Sequence, residues 1–359
     1  MINYIWLLNP FDREVEVEAS KVEELLAKGF KVIDSPTAQI PKIKLNAKIG
    51  HAHYPYGGYG RVEELLSKRI EWDQQSTNII YLGYPNEIDR KPDHKYFLIS
   101  AFEANKLPKG WVEKCNYYDV IIVPSKWCKE LFVNSGVKIP VELMVQGTDN
   151  FTLVEEIPSD QPFTFLHYNA FSDYKRKGWD LVVKAFLEVF GRYDKVELVL
   201  KGRIHDNESD IDTVPKRPNI KVVVKNMGRG EITQLQDRTH CFVFPSRGEG
   251  IGLPPIETMA RGIPTIVTDA FGLTESSYFG VKINKYDYVN SVYQGFEWDG
   301  EPGQWIEPDF DQLKEKMFYV YRNYDRVKRE ALTNAPIIKR YFNLDIQAET
   351  FVDIVTKYI

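Results

Sequence analysis

Two glutamates, Glu249 and Glu257, stand eight positions apart in the stretch FVFPSRGEGIGLPPIETMARGIPTIVTDAFGLTE, residues 242–275. Between them Gly250 and Gly252 let the backbone come close to a ligand. Amides near a helix start attract anions such as a diphosphate. A carboxylate beside such an anion site can accept two hydrogen bonds from a ribose diol, the task an acidic residue performs in dinucleotide folds. A second charged group lies upstream, where Lys175, Arg176 and Lys177 crowd the start of an amphipathic helix pattern. Cations disfavour a helix N-terminus, so a bound phosphate explains them better than helix stability does. The chemistry these residues suggest is the holding of a nucleotide by its phosphates and its sugar.

The elements that must position them follow from apolar runs and Gly/Pro punctuation. A strand over 241–244, a Gly/Pro-rich turn, a helix over about 255–261, a strand over 265–268 and a Gly-bearing turn into another helix make a βαβ unit. Its loops sit at strand C-termini, where open parallel sheets bind ligands.

The ordered set Pro245, Ser246, Glu249, Gly250, Gly252, Leu253, Pro254, Glu257, Met259, Ala260, Gly262 and Pro264 resembles the donor-site signature of retaining GT-B glycosyltransferases of the large family-four type, glycosyl transferases group 1, which includes mannosyltransferases. The resemblance implies an α/β GT-B fold: two Rossmann-like domains facing each other across a cleft, with the C-terminal helix crossing back to the first. It implies transfer of a sugar from a UDP- or GDP-sugar to an acceptor hydroxyl with retention of configuration. Glu249 would hold the sugar's hydroxyls or stabilise positive charge at the anomeric carbon. Lys177, before Gly178, would contact the donor diphosphate. The family's Arg earlier in that loop is missing, since Asn169, Ala170 and Phe171 stand there, and Arg176 or Lys201 is the expected substitute. Gly250, Gly252, Leu253 and Glu257 complete the donor set. Gly57, Gly58 and Tyr59, in a Gly-rich loop ahead of a helix, and Glu103 are expected on the acceptor or sugar side.

The 359 residues fit two domains, with expected ranges 1–155, joined by a helix over 344–359, and 156–343. A polar, Pro-bearing linker crosses 155–162. Residues 1–46 align with nothing in the family and read as an added element. Hydrophobic residues at 43%, charged residues at 27% and a net charge of −5 suit a globular enzyme and give no electrostatic case for nucleic acid. No apolar run reaches bilayer length and no signal peptide is evident, so the expected location is cytoplasmic, with membrane contact at most peripheral. Cys115, Cys128 and Cys241 lack metal spacing, and His51 and His53 are too few for a metal site. No cofactor and no metal are expected, the acidic run 206–212 (DNESDID) reading as a solvated loop. The rival readings are a sugar-nucleotide epimerase on the same fold and a non-catalytic glycan- or nucleotide-binding module.

Overall fold

The computed structural model describes residues 4–8, 14–18, 31–33, 45–49, 58–67, 70–148, 152–170, 174–192, 194–203, 213–293 and 302–359. The chain divides into two compact units. The first comprises Met1–Phe102, Leu107–Asn150 and Pro336–Ile359; the second comprises Glu103–Lys106 and Phe151–Ala335. The sequence ranges had the break at 155 and the C-terminal return at 344.

In the first unit, β1 (Tyr4–Leu8), β2 (Glu14–Glu18) and β3 (Lys31–Ile33) form an antiparallel sheet in the order β2-β1-β3. Then come β4 (Leu45–Ile49), β5 (Ile70–Trp72), β6 (Asn78–Leu82), β7 (Lys95–Ile99), β8 (Val120–Val123) and β9 (Val141–Leu143). These form a parallel sheet in the order β5-β4-β6-β7-β8-β9. A parallel sheet is covered on both faces, so its strands read as continuous apolar runs; the VIIV of β8 is buried throughout. Helix Leu344–Tyr358 brings Ala348, Phe351 and Val355 against Ala47, Ile80, Phe97 and Ile122. Ser125 caps helix Lys126–Asn134, its hydroxyl accepting from Cys128 N at 3.1 Å.

In the second unit, β10 (Phe163–Ala170), β11 (Val196–Arg203), β12 (Ile220–Val224), β13 (Cys241–Phe244), β14 (Thr265–Thr268) and β15 (Val281–Ile283) form a parallel sheet in the order β12-β11-β10-β13-β14-β15. Counted along this unit the order is 3-2-1-4-5-6, and the direction of winding reverses between β10 and β13. Ligands of such sheets sit outside the strand C-termini at that reversal. Lys177, the last residue of the short helix Tyr174–Lys177, follows β10, and Glu249 lies in the loop after β13.

Two elements were not foreseen. The strands β16 (Tyr286–Asn290) and β17 (Gln304–Pro308) pair antiparallel. Helix Tyr324–Tyr341 contains Pro336 and still runs 18 residues. All three cysteines are buried and free, and burial pushes the Cys115 thiol up to about 12. The Gly loop through Gly57 and the acidic run 206–212 lie outside the described residues.

Candidate active site

The Glu249 loop is built by β13 and helix Leu253–Ala260. The helix begins two residues before the expected 255, because Gly252 at φ 76 enters it and Pro254 fits the first turn. A Cβ on Gly252 would lie 2.3 Å from Leu273 Cδ2, so this glycine has a packing reason inside the protein. Pro254 and Pro255 carry no N–H, which leaves Gly252 and Leu253 as the amides at this helix start without helical acceptors.

Four charged side chains converge there. Lys177 Nζ is 2.5 Å from Glu249 Oε1, which also accepts from Ser246 Oγ at 3.1 Å. Arg176 Nη1 lies 3.6 Å from Glu249 Oε2 and 3.7 Å from Glu103 Oε1, and donates to Gly248 O at 2.9 Å. Arg176 and Glu249 are buried. Each oxygen of Glu249 thus faces a cation. Lys177 Nζ also stands 5.9 Å from the Phe244 ring centroid.

Arg247 fastens the loop from below. Its guanidinium donates to both Asp180 oxygens at 2.9 and 3.1 Å and to both Glu307 oxygens at 2.5 and 2.8 Å. The two carboxylates hold its pKa above the ordinary arginine range despite burial. Its backbone N–H donates to Arg176 O at 2.7 Å, and its carbonyl accepts from Ile306 N at 3.0 Å. Nothing in the sequence pattern marked Arg247, Asp180 and Glu307 as partners.

Glu257 lies one helical turn further on. Tyr168, missed in the sequence, places its hydroxyl 3.5 Å from Glu257 Oε2 and 3.4 Å from Pro254 O, and accepts from Gln236 Nε2 at 3.1 Å. Burial, then the Glu257 charge, raises the Tyr168 pKa well above its ordinary value. Lys201 is the register neighbour of Tyr168 and is buried; desolvation, then Arg203, lowers its pKa. Gly58 and Tyr59 lie in the first unit, at the start of helix Gly58–Leu66, with Tyr59 Oη accepting from Ala101 N at 3.2 Å. The structure therefore brings Lys177, Arg176, Glu249 and Glu103 into one cluster and places Glu257 and Lys201 beside Tyr168. Among the described residues no group of three or more His, Cys, Asp or Glu is arranged to hold a metal ion, and no helix is long and apolar enough to cross a membrane.

Under this loop the buried His167 lies beside the Phe242 and Phe244 rings, its Nδ1 donating to Val243 O at 2.7 Å and its Nε2 accepting from Asn169 Nδ2 at 2.9 Å. Burial lowers its pKa to about 4, and His240 is lowered to about 4 for the same first reason. As pH falls below about 6.5 the unfolded chain takes up these protons first. The stability held above pH 6.5 is therefore lost progressively down to about 4. His167 alone accounts for roughly 3 kcal/mol of this loss. Urea midpoints measured from pH 7.5 to 4.5 are expected to fall in wild type and to fall less steeply in His167→Gln; equal slopes would show that His167 does not carry the effect.

Residues 152–278 match the family model described as glycosyl transferases group 1. This group 1 match lies within the second unit. A protein of Sulfolobus islandicus filamentous virus (isolate Iceland/Hveragerdi) with the provisional name glycosyltransferase 45 is 24% identical to the chain over 244 residues, which are 64% of this chain and 65% of the relative. The match thus spans just under two thirds of that relative's length. Among solved structures, Anabaena HepE, in complex with UDP and glucose, superposes with a TM-score of 0.61 at 12% identity, over 88% of this chain and 100% of that one. Sucrose-phosphate synthase from Thermosynechococcus elongatus gives 0.58 at 16% identity, over 82% and 76%. The group 1 segment and its partner unit, each with a parallel six-stranded sheet, have the GT-B architecture.

Proposed function

We propose that the chain transfers a glycosyl group from a UDP- or GDP-sugar to an acceptor hydroxyl, with retention of configuration and without a metal. The observation that carries the reading is the Lys177–Glu249 pair at the reversal point of the second unit's sheet, beside the start of helix Leu253–Ala260. A departing diphosphate must be neutralised and water kept from the anomeric carbon. Lys177 supplies charge for the first task, with the Gly252 and Leu253 amides and Lys201 as further donors. The bond from the anomeric carbon to the diphosphate oxygen breaks, and the acceptor oxygen bonds to the same face. The acceptor's proton passes to the departing phosphate oxygen. Glu249, held by two cations, is suited to orient sugar hydroxyls and to stabilise positive charge at the anomeric centre, and is poorly suited to attack it. Glu257, steadied by Tyr168, takes the ribose diol. The UDP bound to Anabaena HepE makes UDP-sugars the first donors to try.

A thermal-shift and nucleotide-release screen of UDP-, GDP- and ADP-sugars, with and without EDTA, tests this on wild type and Glu257→Ala. One nucleotide family is expected to raise Tm, to bind at least about tenfold more weakly to Glu257→Ala, as loss of a charged hydrogen bond implies, and to ignore EDTA. Release of free nucleotide excludes a purely binding module and an epimerase. Failure of every nucleotide to stabilise the protein would overturn the donor-site reading.

A further inference from the structure

We infer that Glu103 is a positioning residue which, through Arg176, sets the orientation of Glu249 and the net charge beside it. This rests on the reading of the cluster as the donor diphosphate site. Glu103 follows β7 in sequence, yet the short strap Glu103–Lys106 belongs to the second unit. The strap is fixed to β17: Asn105 N donates to Gln304 O at 3.0 Å, and Gln304 N donates to Asn105 Oδ1 at 2.7 Å. It also lies directly on the Glu249 loop. A Cβ on Gly248 would stand 2.1 Å from Glu103 O and 2.9 Å from Trp305 Cδ1, so only glycine admits the strap at this distance.

The consequence is electrostatic. Arg176 Nη1 faces Glu103 Oε1 at 3.7 Å, Glu249 Oε2 at 3.6 Å and Gly248 O at 2.9 Å. Glu103 and Arg176 side chains are 19% and 9% exposed, so solvent screens them only in part. With Lys177 the cluster counts two cations and two carboxylates. Glu103 divides the attraction of Arg176 between the strap and the loop, and its charge cancels one cation next to the site where the diphosphate arrives. Without that charge Arg176 turns fully to Glu249, drawing it from the pose that Lys177 and Ser246 set, while the site's net charge rises by one.

Glu103→Gln keeps the shape and removes the charge. Calorimetric titration with UDP is expected to show about three- to tenfold tighter binding that weakens with salt. Turnover of the UDP-sugar is expected to fall at least about tenfold as Glu249 loses its orientation. Glu103→Asp, with its charge retained, is expected to bind UDP as wild type does. A merely structural role would weaken binding and turnover together. Weaker UDP binding in Glu103→Gln, or unchanged turnover, would overturn the inference. A second measurement needs no nucleotide: Tm values of Glu103→Gln, Arg176→Met and the double variant. The double variant is expected to melt no lower than Arg176→Met alone, because Glu103 acts through Arg176; simple additivity would overturn the inference. If wild type binds neither UDP nor GDP nor ADP, the donor reading fails, and the melting comparison still decides whether Glu103 positions Arg176.

Discussion

Glu249→Gln is expected to lower nucleotide-sugar turnover by about two to three orders of magnitude, the loss seen when one preorganised charge-stabilising group is removed. The substitution preserves the side chain's shape and its capacity to accept from Ser246, which lies 3.1 Å away. It removes the charge that sits 2.5 Å from Lys177 and 3.6 Å from Arg176. Those two cations are then left with less to oppose them, so UDP binding is expected to hold or tighten while turnover collapses. Single-turnover nucleotide release together with calorimetric UDP titration separates the two quantities. Turnover within tenfold of wild type would remove Glu249 from the reacting centre.

Arg247→Met is expected to destabilise the fold by about 3 kcal/mol, the scale for removing one partner of a buried ion pair. Arg247 is 10% exposed at its side chain and Asp180 is 22% exposed. Glu307 is 37% exposed, so most of the loss comes from Asp180, water being able to solvate the freed Glu307. Urea unfolding at neutral pH measures the loss. Neutralising the stranded carboxylate in Arg247→Met/Asp180→Asn is expected to recover part of it. A loss below about 1 kcal/mol, the scale of an exposed pair, would mean that the Glu249 loop is not anchored through this guanidinium.

Much of the second unit was legible because its signals are local. The strand Cys241–Phe244, the turn and Thr265–Thr268 are apolar runs bounded by Gly and Pro, and they lie where those signals put them. The helix between them begins earlier than expected because prolines are tolerated in a first turn. Strand Tyr286–Asn290 was not legible: Tyr286, Asp287, Tyr288 and Asn290 are exposed, so no buried face imposes an alternation. Helix Tyr324–Tyr341 was hidden by Pro336, which ordinarily argues for a break. For the candidate site, Lys177, Arg176 and Glu249 could be singled out as charges with Gly neighbours, but their mutual pairing could not. Arg247 finds Asp180 and Glu307 at separations of 67 and 60 residues, and such pairing exists only once the strands are in register. Tyr168 reads as one more apolar strand residue, and only its hydroxyl's place beside Glu257 sets it apart.

The loop that presents Glu249 directs its backbone inward. The amide of Arg247 is bound to Arg176 O, that of Gly248 to Ser246 Oγ, and the Glu249 carbonyl accepts from Gly272 N. In deuterium-exchange terms these protons are slow before any ligand arrives, and its arrival leaves their rates almost unaltered. At the helix start Pro254 and Pro255 carry no N–H, which reduces the amides without helical acceptors to Gly252 and Leu253. Donor recognition would therefore register as protection confined to a pair of amides in a loop otherwise silent, so an exchange map quiet across most of the site is what a rigid, prefolded anion cradle should produce.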